Sequence, residues 1–148
     1  MAKRSGNLIA TGSSRGVCSN VFNAVGTLKG SKHEFFLDIA GAIPRKLPYK
    51  QGRWGPYVPP DVKVWRGRIA NQCRVVGGPP EKGDAVFVVV VLYMKKSHAD
   101  LDSCYHSIQD ALSKDAWGIS DKHWQHAVVL GGIVPPSQER TVIGICYA

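Results

Sequence analysis

The chain has 148 residues, 44% hydrophobic and 20% charged, which fits one soluble globular domain large enough to bury a core without disulfide or metal staples. Its longest apolar run, Ala85 to Met94, is about half of what a membrane-spanning helix needs. The net charge of +8, from 19 Lys+Arg against 11 Asp+Glu, calls for an acidic partner, nucleic acid first and an anionic membrane surface second.

The start, Met1-Ala2-Lys3-Arg4, has no apolar segment behind it, so no signal peptide is expected and the reading is cytoplasmic. Residues 1–33 are rich in Gly, Ser, Asn and basic side chains and read as a loosely attached arm. Within it, Gly12-Ser13-Ser14-Arg15-Gly16 lacks the spacing of a phosphate-binding loop. The four cysteines, Cys18, Cys73, Cys104 and Cys146, are widely spaced with no CxxC, and free thiols are expected.

His33 to Ala40 reads as a strand ended by Gly41 and Pro44. Residues 43–60 are proline-rich and loop-like, with Arg45, Lys46, Tyr49, Lys50, Arg53, Trp54 and Tyr57 making them basic and aromatic. Asp61 is a candidate cap for a helix running to about Val76. Val62, Trp65, Ile69, Cys73 and Val76 form its apolar side, with Lys63, Arg66 and Arg74 opposite. Gly77-Gly78-Pro79-Pro80 stops it. Asp84 to Met94 is a continuous β-branched run, the mark of a central strand buried on both faces. A second helix is predicted from about Leu101 to Lys114, with Leu101, Tyr105, Ile108 and Leu112 toward the core. Ala127 to Val134 and Arg140 to Tyr147 are two further strands. The Pro135-Pro136-Ser137-Gln138 turn between them predicts an antiparallel pair. The expected fold is α/β: a small mixed sheet of about four to five strands with two main helices, in β-α-β-α-β-β order.

Five of the 11 acids fall between Asp100 and Asp121, in a chain that is otherwise basic. Carboxylates gathered against a basic surface suit a divalent cation held against a polyanion, as phosphodiester chemistry requires. Asp100 and Asp102 sit where the central strand hands over to the helix, and residues i and i+2 of an extended segment point the same way. Asp102, His106 and Asp110 then form one polar helical stripe, and the Trp117-Gly118-Ile119-Ser120 turn folds Asp121 back toward it. Oxygen ligands suit Mg²⁺, or Mn²⁺, better than zinc. The bland reading keeps Asp102 as a helix cap and Asp110 on a solvated face. A zinc site from His98, Cys104, His106, His123 and His126 is the weaker metal alternative, because its spacing is poor.

The run from Asp100 to Lys114, DLDSCYHSIQDALSK, followed by Trp117 and Ser120-Asp121, resembles the signature of the RusA family of Holliday-junction resolvases. The resemblance covers roughly residues 34–148, an endonuclease domain, and leaves the arm of residues 1–33 unexplained. It places a short second strand at Tyr57-Val58 and Trp65-Arg66 in the first helix. It implies a small homodimeric Mg²⁺-dependent endodeoxyribonuclease, often phage-encoded, that resolves four-way DNA junctions by paired symmetric nicks in recombination and repair. It would act in a bacterial or phage-infected cell. Asp100, Asp102 and Asp121 match the family's metal-binding aspartates. Asp110 matches its helix aspartate, a supporting or structural residue.

Two positions depart from the pattern: Ser103 stands for the family's Asn, and His106 for its catalytic Lys. His106 is the candidate replacement as phosphate contact or proton donor. The basic residue before the first Asp is replaced by Ala99, with Lys95, Lys96 and His98 nearby. Lys95, Lys96 and His106 would neutralise phosphate charge. Arg45, Lys46, Lys50, Arg53, Lys63, Arg66, Arg68 and Arg74 would bind DNA backbone, and Trp54 and Tyr57 would stack on unpaired bases or simply pack the loop. The two departures keep open a catalytically weak or inactive branched-nucleic-acid-binding protein of the same fold. A structural or regulatory phage-type protein is the third reading.

Overall fold

The structure, a computed structural model, describes residues 33–44, 50–53, 55–95 and 101–147. The fold over these residues is mixed α/β. Strand β1 (His33–Ala40) is followed by two three-residue strands, β2 (Lys50–Gly52) and β3 (Gly55–Tyr57), and by helix α1 (Pro60–Val76). Then come β4 (Val86–Met94), helix α2 (Leu101–Asp110) continued by a π-helical segment Ala111–Trp117, β5 (Gln125–Ile133) and β6 (Arg140–Tyr147). Four strands form one sheet in the order β1-β6-β4-β5, while β2 and β3 pair with each other as a separate antiparallel hairpin. That hairpin lies inside the stretch expected to be loop. The arm of residues 1–32, the basic loop positions 45–49, Trp54 and residues 96–100 lie outside the described residues.

Strand β4 is buried along all nine residues, as its Val-rich run requires. It pairs antiparallel with β6 and parallel with β5. A parallel pair needs a crossover, and α2 with its π-helical continuation supplies it. The expected hairpin between the last two strands is therefore corrected: β6 inserts between β1 and β4, and β5 lies at the sheet edge. Burial explains the difference. From Thr141 to Tyr147 β6 is buried throughout, whereas β5 is half-exposed or exposed along its length. Pro135 and Pro136 lack the N–H groups a tight hairpin ladder would use. The chain instead leaves β5 with Val134 N–H bonded to the Met94 carbonyl, makes a 3-10 turn over Pro136–Gln138, and enters the sheet two strands away.

Opposite β4, the β5 register slips by one between Leu92 and Tyr93, passing over Gly131. A Cβ at Gly131 would stand 2.6 Å from the Tyr93 ring and 2.7 Å from Val91 Cγ1, so the bulge depends on glycine. At the other edge, the Asp38 N–H donates to Gln72 Oε1 (2.6 Å) and Gln72 Nε2 donates to the Asp38 carbonyl (3.1 Å). The Gln72 amide of α1 thus continues the hydrogen bonding of β1 on the side where no strand among the described residues pairs with it.

Helix α1 begins after Pro59, with Pro60 in its first turn, where a missing N–H costs nothing. Asp61 is not the cap. It lies in the first turn, where a carboxylate favours the helix dipole. Val62, Trp65, Ile69 and Cys73 are buried as expected, but Val76 is exposed at the last turn. Both helices pack on one sheet face, where Leu37, Val88, Val90, Leu92, Ile143 and Ile145 meet Trp65, Ile69, Ile108 and Leu112. Trp117 closes this layer edge-on to Phe35, Trp124 and Tyr147, at centroid distances of 6.2, 6.0 and 6.4 Å. Gly118, at φ 62°, ends the π-helical segment in the left-handed conformation that glycine adopts at least cost. Cys73, Cys104 and Cys146 are buried and form no disulfide among the described residues, and burial pushes the Cys73 thiol up to about 12 against the pull of Arg74. No described helix is long and apolar enough to cross a membrane.

Candidate metal and nucleic-acid site

Asp102 lies exposed in the first turn of α2. Its carboxylate there favours the positive end of the helix dipole. Asp121 is half-buried in the turn that leads into β5, where its carbonyl accepts the Trp124 N–H at 3.1 Å. The Ser113 hydroxyl lies 3.0 Å from Asp121 Oδ2 and 2.8 Å from the Gln109 carbonyl, so its single proton serves one acceptor at a time. Among the described residues no Lys or Arg forms an ion pair with Asp102 or Asp121. Asp100, which precedes them in the sequence pattern, lies outside the described residues.

Between helix and edge strand, Tyr105 and His126 stack face to face, with ring centroids 3.7 Å apart and planes 10° from parallel. Tyr105 is only 2% exposed, and among the described residues its hydroxyl has no hydrogen-bond partner. Burial raises its phenol, and the charge of Asp121 raises it further. His126 is exposed at its rim but covered on one face. That burial lowers its imidazole, while Asp102 pulls in the other direction. One carboxylate thus acts on each ring of a single stack. Asp102, at the start of α2, faces the His126 side of this stack and Asp121, before β5, the Tyr105 side.

The expected polar stripe is only partly present. Asp102 and His106 are exposed, but Asp110 is 6% exposed and turned toward α1. There it meets Lys114 Nζ at 3.5 Å and Arg66 at 4.0 Å. It is a structural ion-pair partner and not a solvated helix residue. Ser103 is half-buried beside Asp102 in the chain.

The basic residues of α1 differ in their partners. Arg66 makes a two-pronged pair with Asp115, 3.0 Å on each prong, and Arg74 donates to the Asp115 carbonyl at 2.7 Å and to Asn71. These two guanidinium groups fasten α1 to the end of the second helical segment, so any DNA contact they make would compete with these protein partners. Lys63 and Arg68 are exposed on α1, Arg53 is exposed in the β2–β3 turn, and Tyr57 is 47% exposed. Lys95 is exposed, with its backbone N–H on the buried Glu139 carboxylate at 3.2 Å. Arg45, Lys46, Trp54 and Lys96 lie outside the described residues, as does the Lys50 side chain.

Sequence reasoning missed the Tyr105–His126 stack. Tyr105 read as an ordinary core position, which its burial supports, and His126 fell one residue before the predicted strand. Only the pairing of β5 beside β4, a long-range fact, brings the ring to the helix. For the zinc alternative, Cys104 is buried while His106, His123 and His126 are exposed. Among the described residues no three His, Cys, Asp or Glu side chains converge to hold a metal ion. His98 and Asp100 are not among those residues. No protein-family model matches the chain, and no curated protein matches it.

Proposed function

We propose that this chain is a Mg²⁺-dependent, structure-specific endodeoxyribonuclease of the RusA type, acting on four-way DNA junctions as a homodimer. The observation that supports the reading is that Asp102 and Asp121 each act on one ring of the stacked Tyr105–His126 pair, with neither carboxylate in an ion pair with a Lys or Arg among the described residues. Carboxylates on either side of one stack, without a protein cation, would favour a bound divalent ion, and an all-oxygen donor set suits Mg²⁺ or Mn²⁺.

Asp102 and Asp121 would hold the ion, with Asp100 as the third carboxylate of the sequence pattern. A bound divalent ion would polarise the scissile phosphate and acidify a coordinated water. Ser113 orients the Asp121 carboxylate through Oδ2, leaving Oδ1 for a ligand. Tyr105 keeps the ring face of His126 dry and fixes its orientation beside Asp102. His106, exposed one helical turn after Asp102, is the candidate for the phosphate contact that a Lys makes in the family. Lys63, Arg68, Arg53 and Lys95 supply exposed cations for the DNA backbone, and Tyr57 an exposed ring for an unpaired base. A two-fold dimer would match the two-fold symmetry of a junction and deliver paired cuts.

Titration with Mn²⁺ tests the site directly. Paramagnetic broadening should centre on the amides of Asp102, Ser113 and Asp121 and on the His126 ring, and should disappear in Asp121→Asn. Broadening spread evenly over surface acids would remove the basis for the proposal.

A further inference from the structure

An open cavity of about 720 Å³ lies on the other side of the turn that carries Asp121. One wall is the loop before β4, with Pro80 and Lys82. The other is the loop before β5, with Ile119, Lys122, His123 and Trp124. Because β4 and β5 run parallel, both loops lie at the same end of the sheet. The neighbours of Asp121 line the cavity while its own carboxylate is bonded on the helix side to Ser113. The cavity and the candidate metal site therefore share one short turn.

The lining divides by chemistry. Pro80 is buried and Ile119 and Trp124 are half-buried, giving an apolar floor with an aromatic edge. Lys82, Lys122 and His123 are exposed at the rim, and among the described residues neither lysine is in an ion pair. Two acids also line the cavity, Asp84 and the exposed Glu81, and Asp84 Oδ2 accepts the Glu81 N–H at 2.8 Å. An apolar floor beside the exposed Lys82 and Lys122 is complementary to a flat heterocycle carrying a phosphate, and the volume lies within the usual range for small-ligand sites.

We propose that this cavity is a nucleotide subsite, receiving one unstacked nucleotide of the DNA next to the scissile phosphate. The base would lie over Ile119 and Trp124, and its phosphate would reach Lys82 and Lys122. Enzymes that take up a base out of the stack gain selectivity from one that is already unpaired, which a branch point provides. This proposal rests on the nuclease reading for its DNA context, but its nucleotide chemistry can be tested separately.

The test is titration of the full chain with a deoxynucleoside 5′-monophosphate, followed by NMR at the Trp124 indole and the amides of Gly83, Ile119 and Lys122. Saturable shifts confined to these groups are expected, with affinity falling about tenfold or more in the Lys82→Ala, Lys122→Ala double variant. Both lysines are exposed, so the fold should be retained. Inorganic phosphate giving the same shifts with the same affinity would overturn the base-binding floor, and silence at millimolar nucleotide would overturn the subsite. Junction cleavage by the natural chain that is unchanged in the double variant would also overturn it, while leaving the nuclease reading intact. Nucleotide shifts in a chain that cleaves no junction would support the subsite and count against the nuclease.

Discussion

His126 is subject to two opposing influences, and their balance reports the local geometry. The face against Tyr105 excludes water and disfavours the imidazolium, while the Asp102 carboxylate favours it. Removing that carboxylate should therefore lower the His126 pKa further. In Asp102→Asn, the midpoint of the His126 Cε1–H shift against pH should fall below that of the natural chain, and an unchanged midpoint would mean that Asp102 points elsewhere. The net lowering also sets a pH dependence. As pH falls through about 6.5 the unfolded chain takes up this proton before the folded one, so His126 subtracts stability progressively toward its folded pKa. Asp110 has a different role. Its carboxylate is nearly buried between Lys114 and Arg66, so Asp110→Asn should cost roughly 1–3 kcal/mol in urea unfolding. A surface aspartate would give almost no change.

At the level of elements, legibility followed the range of the interaction. The all-buried β4 was readable because a β-branched run reports burial on both faces locally, and β1 because Gly41 and Pro44 end it locally. The insertion of β6 between β1 and β4 was not readable, since Pro135 and Pro136 mark a turn without saying where the next strand pairs. The polar stripe failed for a geometric reason. Positions i, i+4 and i+8 drift by about 40° per step on a 3.6-residue helix, so Asp110 lies about 80° round from Asp102 and faces α1. Asp102 and Asp121 were legible as residues, but the stack that joins their surroundings depends on β5 lying beside β4. The β5 bulge supplies a prediction at this scale. Gly131→Val forces side-chain atoms into the space of Tyr93 and Val91, and should lower stability by about 1–3 kcal/mol while shifting the β4 and β5 amides selectively. A neutral result would show that the edge can relax.

For the whole molecule, charge and fold divide the work. The net charge of +8 attracts a polyanion, but part of it is internal: Arg66 and Arg74 fasten α1 to the second helical segment, while Lys63 and Arg68 remain exposed. Junction binding should therefore weaken linearly in log salt, and the Lys63→Ala, Arg68→Ala double variant should reduce the slope by about 2. The same slope from both chains would place the DNA on another face. The central claim is that Asp102 and Asp121, supplied by different elements, serve one metal-dependent cleavage site. The direct measurement is cleavage of a synthetic four-way DNA junction in Mg²⁺ by the natural chain, Asp102→Asn and Asp121→Asn. Paired symmetric nicks from the natural chain, lost by about a hundredfold or more in each variant with junction binding retained, are the predicted result. A natural chain that binds the junction but cuts it in neither Mg²⁺ nor Mn²⁺, or variants that cut as fast as the natural chain, would contradict the account.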